Sequence, residues 1–368
     1  MTETGLYVHI PFCKSKCYYC DFYSLKYKKE LADEYLAAME KEIIELENKY
    51  GILNSQVCTL YIGGGSPSTL SEKQFENLFN LLLHYFNLQS LKEISVEVNP
   101  ESITETKISI VKSMMEQFPN VKLRISVGVQ SFNEKILKNL GRIHTKDDIY
   151  NTVDILTRSG IRNYNFDLIF GCPGQTTRDL LSDIEQALLL KPTHISYYAL
   201  TVEHNTKLAK MNFVPDDNLQ AEMYNKIVNI LTFNGYNQYE ISNFALQGYE
   251  CLHNLNYWFH GNYIGLGPSS VSFFCPLRIK NTTSLTEYLK AKFRYSREYL
   301  DSKKILSEKI ILALRTSYGI DTNILKRKSN SRILKKMLSQ RLLIKQNNKL
   351  RIAPKYLFLS NFIIKDLI

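Results

Sequence analysis

The sequence predicts an α/β chain, six strand-helix units curled into an open partial (βα)6 TIM-like barrel, followed by a small winged-helix-like α+β domain. Three observations lead there. Short β-branched and aromatic runs alternate with helical patterns over the first 200 residues, the unusual residues fall where those runs end, and the pattern changes near residue 282. With 368 residues, the chain is long enough for one large domain and an appendage. We therefore divide it into residues 1–200 (barrel), 201–281 (an extension that closes its open side) and 282–368 (tail).

The strand runs, in order, are "LYVHI", "VCTLYI", "EISVEV", "RISVGVQ", "NYNFDLIF" and "HISYYAL". Between the first two, Leu31, Tyr35, Met39, Ile43 and Leu46 recur at helical spacing. Ser71 with Gln74 reads as a capping box opening the next helix, and Gly160 reads as a helix stop. Right-handed crossovers then gather the C-terminal ends of the strands on one face, where ligands collect. The extension holds "YEISNFA", "HNLNYW" and "GLGPSS" without a clear period, and the tail ends in two short strands around Asn347 and Asn348.

Composition narrows the classes. No apolar run approaches the roughly 20 residues of a membrane span, and nothing at the N-terminus resembles a signal peptide. Seven cysteines, an odd number, argue against a disulfide framework and for reduced thiols in a cytoplasm. Residues 276–368 carry 22 Lys and Arg against 6 Asp and Glu, whereas the preceding residues are mildly acidic. Such a tail suits a solvated surface or a patch for nucleic acid, anionic lipid or an acidic partner.

Cys13, Cys17 and Cys20 form a C-x3-C-x2-C array. Three thiolates at this spacing can hold three irons of a [4Fe-4S] cluster and leave the fourth for a substrate. A zinc site completed by His9 and three buried structural thiols are the competing readings. The density of three cysteines in eight residues favours a metal or cluster. Gly63, Gly64 and Gly65 end the second run, where backbone can approach a ligand or simply turn tightly. Glu97, Gln130, Arg142 and Asp167 lie at or after strands, and together on one mouth they can bind a zwitterion with a ribose.

The segments "YVHIPFCKSKCYYCDF", "GGGSPSTL", "VEVNP", "GVQSF", "LGRIH", "FDLIFGCPGQT" and "YYALTVE" occur in order over about 200 residues. Together they resemble the radical S-adenosylmethionine proteins related to oxygen-independent coproporphyrinogen III oxidase. The resemblance implies a barrel of radical SAM type, a cluster on Cys13, Cys17 and Cys20, and S-adenosylmethionine chelating the open iron. Reductive cleavage of its sulfonium would then give methionine and a 5′-deoxyadenosyl radical. It also implies that Tyr7 and Tyr19 lie beside the cofactor, that Gly64, Gly65 and Ser66 face its methionine end, and that Glu97, Gln130, Arg142, Asp167 and the Ala199 backbone contact it.

The oxidases continue the array with a further cysteine two residues on, where this chain has Phe22. That form belongs to the sister group of heme chaperones, which also carries H-N-x-x-Y-W, here His253, Asn254, Tyr257 and Trp258. An imidazole from His253 could ligate heme iron while Tyr257 and Trp258 pack on the porphyrin, with Cys251 a second candidate ligand. The pattern alone favours a core turn in which His253 only hydrogen bonds, and it is the resemblance that moves "HNLNYW" to heme binding. The expectation is a cytoplasmic heme chaperone that passes heme to apo-hemoproteins of the respiratory chain, its basic tail docking an anionic membrane surface. Oxidative decarboxylation of coproporphyrinogen III is the alternative, and nucleic-acid binding ranks third because the tail lacks an evident base-reading stretch. The sequence names no electron donor.

Overall fold

In the computed structural model, which describes residues 3–368, the six runs form β1 (Glu3–Ile10), β2 (Gln56–Gly64), β3 (Glu93–Val98), β4 (Lys122–Gln130), β5 (Tyr164–Phe170) and β6 (His194–Ala199). Each pairs in parallel with the next. Helical crossovers enforce this by returning the chain to the same end of the sheet. Strand alternation sorts the side chains: Ile94, Val96 and Val98 of β3 and Ile125, Val127 and Val129 of β4 join the apolar core shared with the helices. The intervening Glu93, Ser95, Glu97, Arg124 and Ser126 point the other way and make the barrel interior polar. There Ser126 Oγ donates to Asp167 at 2.7 Å and Asn165 Nδ2 donates to it at 2.9 Å. Hydrogen bonding of this kind makes the burial of so many polar groups tolerable.

Local signals behave as their chemistry dictates. Both hydrogen bonds of the Ser71–Gln74 capping box form, and Gly160 takes the left-handed conformation at φ 74° that a helix stop needs. The first helix, Lys29–Tyr50, buries Tyr35, Met39, Ile43 and Leu46, while Leu31 is half-buried.

That helix also buries a charge the apolar pattern did not reveal. Glu42 accepts hydrogen bonds from Gly267 N at 2.8 Å, Tyr288 Oη at 2.6 Å and Asn281 Nδ2 at 2.6 Å. It thereby ties the first helix to the far end of the sheet. Burial pushes its pKa up to about 7, outweighing the donors, and Glu97 and Glu240 are raised to about 7 for the same reason. A carboxyl raised on folding contributes stability that is complete below its unfolded pKa of about 4.5 and is lost as pH rises through about 7. Glu101, Asp179 and Glu308 are lowered and act oppositely at more acid pH. Buried His9, His194 and His253, lowered by desolvation, and Lys107, lowered to about 8, raise stability over the same interval, so the test is a difference. Between pH 6 and 8.5 the urea midpoint of Glu42→Gln is expected to change less unfavourably than that of wild type, and parallel profiles would refute the reading.

The extension does not close the barrel as expected. It lengthens the sheet at both edges, because Asn262–Leu266 pairs in parallel with the outer edge of β1 and Asn243–Ala245 pairs antiparallel with β6. The resulting twelve-stranded sheet runs from Ser296–Tyr299 at one edge to Asn237–Gln238 at the other. Between the two additions, the helix Leu252–Trp258 packs against β2 and β3.

The expected start of the tail also shifts. Leu285 and Tyr288 belong to the main core and Ser296–Tyr299 to the main sheet, so the second core begins with the helix Ser302–Leu314. Beyond it come the strand Ile320–Asp321, the helices Thr322–Lys328 and Ser331–Ser339, and the hairpin Leu343–Gln346 with Lys349–Ile352. Leu314, Leu325, Leu334 and Leu350 close a separate apolar core there. Among the described residues, no helix is long and apolar enough to cross a membrane.

Candidate functional site

Neighbouring segments hold the cysteine loop through backbone hydrogen bonds, beside the loop's own Cys20 N to Cys17 O contact. Gly65 N donates to Ile10 O and Ser66 N to Phe12 O, both at 2.8 Å, while Tyr18 N donates to Leu140 O at 2.8 Å. A Cβ on Gly65 would lie 2.7 Å from Phe12 O and 3.0 Å from Cys13 Sγ, so the loop crosses directly over this glycine. Gly64, at φ 111°, packs on the His9 ring, and its N–H donates to Glu97 at 3.0 Å. The glycine run therefore serves both readings open at the sequence level, a tight turn and an approach to ligand space.

Cys13, Cys17 and Cys20 line one cavity of about 560 Å³ together with Tyr19, Gly64, Gly65, Ser66, Glu97, Gln130, Arg142, Asp167 and Ala199. The residues expected beside the cluster and S-adenosylmethionine thus converge on the C-terminal ends of the strands, with the exception of Tyr7. Tyr61, Asn99, Ser126 and Tyr198 also line the cavity. They were missed because each reads as an ordinary strand or turn residue until the inward face is known.

Electrostatics suit an ionic guest. Burial pushes the Cys13 thiol up to about 12, helped by the neighbouring Cys17 and Cys20, while Arg142 opposes the rise. The Arg142 guanidinium donates to Cys17 Sγ at 3.4 Å, Asn99 Oδ1 at 2.8 Å and Gly128 O at 3.0 Å. A fixed cation beside thiolates offsets part of their charge. Opposite it, Glu97 accepts from Tyr61 Oη at 2.7 Å. Its pKa near 7 comes from desolvation first, with Asp167 adding to the rise. Gln130, at φ 64°, holds a left-handed backbone that a non-glycine residue adopts at a cost, as happens at ligand sites.

His9 does not complete a zinc site. Its Nε2 lies 2.8 Å from Tyr23 O, an acceptor only, so Nε2 carries the hydrogen and Nδ1 accepts from Tyr7 Oη at 2.9 Å. Among the described residues, no three His, Cys, Asp or Glu side chains converge as a single ion requires. A cluster, with one iron under each thiolate, asks for a wider spacing and fits three cysteines around a common cavity.

A second cavity of about 610 Å³ lies on the other side of the same loop, and Lys16, Asp21, Phe22 and Ser24 line both. Tyr7 faces this one, with Tyr23, Tyr257, Tyr263 and Lys280. Phe22 is 69% exposed on the shared wall. Trp258 lines neither cavity.

His253, expected at the head of an aromatic cluster, is buried and lines neither cavity. It is 1% exposed, with Nδ1 2.8 Å from Thr59 Oγ1 and Nε2 2.9 Å from Tyr257 Oη. Burial lowers its pKa to about 3. Cys251 is likewise buried, its thiol donating to Glu93 at 3.4 Å. Glu93 was not singled out from the sequence, yet it accepts from Leu252 N at 2.9 Å and His253 N at 3.1 Å and so caps the helix Leu252–Trp258. The helix therefore sits at the N-terminal ends of β2 and β3, opposite the cysteine mouth.

Residues 7–187 match the radical SAM superfamily. The heme chaperone HemW of Lactococcus lactis subsp. lactis is 36% identical over 85% of this chain and 82% of its own length. The heme chaperone HemW of Bacillus subtilis is 34% identical, covering 85% of this chain and 84% of its own. Among solved structures, coproporphyrinogen III oxidase (HemN) from Escherichia coli, a radical SAM enzyme, matches with TM-score 0.84 over 100% of this chain and 90% of that one. At 21% identity that likeness speaks for the fold. With its open parallel barrel, its cysteine mouth and two such relatives over most of its length, this chain belongs to the HemW family of radical SAM proteins.

Proposed function

We propose that the chain is a heme chaperone, holding heme in the tyrosine-lined cavity and passing it to apo-hemoproteins. The observation that carries this reading is the pair of cavities sharing the cysteine loop as a wall. One is lined by thiols, carboxylates, an amide and an arginine, which suits a [4Fe-4S] cluster with S-adenosylmethionine; when bound, the cluster offers its fourth iron to the amino and carboxylate groups of that molecule. Cys13, Cys17 and Cys20 would hold the cluster. Glu97, Gln130, Arg142, Asp167 and Ala199 would orient the zwitterion and ribose.

The other cavity is lined by aromatic rings and flanked by Lys16 and Lys280, a combination that suits a flat apolar macrocycle bearing two propionates. Respiratory apo-hemoproteins are the acceptors in this reading, and the basic tail would bring the chain to the anionic membrane surface in the cytoplasm where they reside.

The test is an anaerobic heme titration of the cluster-reconstituted protein, followed in the Soret region, and then transfer to an apo-hemoprotein. One-to-one saturable binding and delivery faster than from free heme are expected, with anionic vesicles recruiting the loaded protein less as salt rises. Absence of specific binding, together with vinyl products from coproporphyrinogen III, would replace the chaperone by the decarboxylating oxidase.

A further inference from the structure

Along β5 the side chains of Asn165, Phe166 and Asp167 alternate across the sheet, so Phe166 joins the apolar core while Asn165 and Asp167 share the polar barrel face. Register supplies the neighbours. Ser126 of β4 stands opposite Asn165, and Ser196 of β6 stands opposite Asp167. Three hydrogen bonds then close a ring behind the Asp167 carboxylate: Ser126 Oγ donates to Oδ2 at 2.7 Å, Asn165 Nδ2 donates to Oδ1 at 2.9 Å, and the same amide nitrogen donates to Ser126 Oγ at 2.7 Å. A carboxylate only accepts, which decides the end of the amide turned toward it. The other end is held as firmly. Asn165 Oδ1 accepts from Ser196 Oγ at 3.1 Å and lies 2.6 Å from His194 Nδ1. Asn165 is fully buried and outside the 560 Å³ cavity, whose wall includes Asp167 and Ser126.

We propose that Asn165 is a positioning residue that, with Ser126, holds the Asp167 carboxylate in the one orientation that receives the vicinal hydroxyls of the S-adenosylmethionine ribose. The assignment rests on the cofactor reading above and adds to it a residue that does not touch the ligand. Each carboxylate oxygen has two acceptor directions. A donor behind each oxygen occupies one direction and leaves the other toward the cavity, so two acceptors side by side face two hydroxyls side by side. The ring of hydrogen bonds also stops the carboxylate from turning about its Cβ–Cγ bond. Hydroxyls therefore meet acceptors already in place, and binding does not have to order that side chain. Selectivity follows from the same rigidity, because a sugar lacking a hydroxyl leaves a fixed, desolvated acceptor unpaired, whereas a carboxylate free to turn can find another donor. Removing the Asn165 amide gives it that freedom.

The experiment uses the full chain with reconstituted cluster, held anaerobic, and measures by calorimetry the Kd of S-adenosylmethionine and of its 2′-deoxy and 3′-deoxy analogues. Wild type is compared with Asn165→Leu, which keeps the side-chain volume, with Asn165→Ser, which is too short to reach Oδ1, and with Asp167→Asn as the benchmark for a lost carboxylate. The ratio of Kd values within one protein is the readout, because general damage to fold or cluster weakens all three ligands alike. Wild type is expected to prefer the parent molecule to at least one deoxy analogue by about tenfold or more. In either Asn165 variant that ratio should fall toward the value of Asp167→Asn, with iron content unchanged. Whichever Asn165 variant folds decides the matter: a ratio equal to that of wild type would overturn the assignment and leave the cofactor site standing. Wild type that binds S-adenosylmethionine without preferring either hydroxyl would do the same. A wild type that binds no S-adenosylmethionine would overturn both the assignment and the cofactor reading.

Discussion

Cys17→Ala is expected to abolish cluster loading. After anaerobic reconstitution, iron should fall from about four per chain to background, because with one thiolate missing a cubane loses the anchor for one of its three protein-held irons. Among the described residues, no other thiol and no imidazole lines the cavity. The four remaining cysteines are dispersed, and Cys172 and Cys251 are buried elsewhere in the fold. Both ring nitrogens of His9 are engaged, and those of His144 face Arg142 Nε and Val129 O. The fold should survive the change, since Gly65, Ser66 and Tyr18 hold the loop through backbone groups that alanine leaves intact. The measurement is iron and sulfide content alongside far-UV circular dichroism. Full iron loading in a folded Cys17→Ala protein would rule out this ligand set.

Glu93→Ala is expected to be the most destabilising single change in the barrel interior. The carboxylate is 1% exposed and satisfies the N–H groups of Leu252 and His253 as well as the Cys251 thiol. It also stands within electrostatic reach of Arg124, which is 2% exposed and whose Nε and Nη1 find no hydrogen-bond partner among the described residues. Truncation therefore strands two buried backbone donors and weakens the compensation of a buried cation at once. Loss of one partner from such an arrangement costs about 3–5 kcal/mol, roughly 5 °C in Tm for a chain of this size. Glu93→Gln retains an acceptor and should lose less. Thermal unfolding of both variants decides it, and an Ala variant within about 1 kcal/mol of wild type would show that water replaces the carboxylate. Because this helix carries Tyr257, weaker hemin binding should accompany the loss of stability.

The depth to which the sequence could be read follows the range of the interactions involved. The cluster array is legible because its three cysteines fall within eight residues, so no folding step is needed to bring them together. The strand runs and the capping box are legible for the same reason, being set by periodicity and by contacts a few residues apart. Glu42 and Glu93 were not legible. Glu42 sits among apolar neighbours on a helix that otherwise reads as charged outward, and its partners lie 225 to 246 residues away. Glu93 opens a strand, where a charge ordinarily faces solvent, and its partners are 158 to 160 residues on.

By itself, then, the sequence determined the parallel barrel and the three thiols at its mouth, together with the polar residues that end its strands, because period and spacing are local properties of the chain. Only the tertiary structure decided that the extension widens the sheet instead of closing it, that Tyr7 turns to the second cavity, and that Tyr257 lines that cavity while His253 does not. Those outcomes depend on which edge a late strand joins and on which side chain meets Thr59 from 194 residues away. Such encounters are fixed by packing between elements, and no periodicity along the chain encodes them.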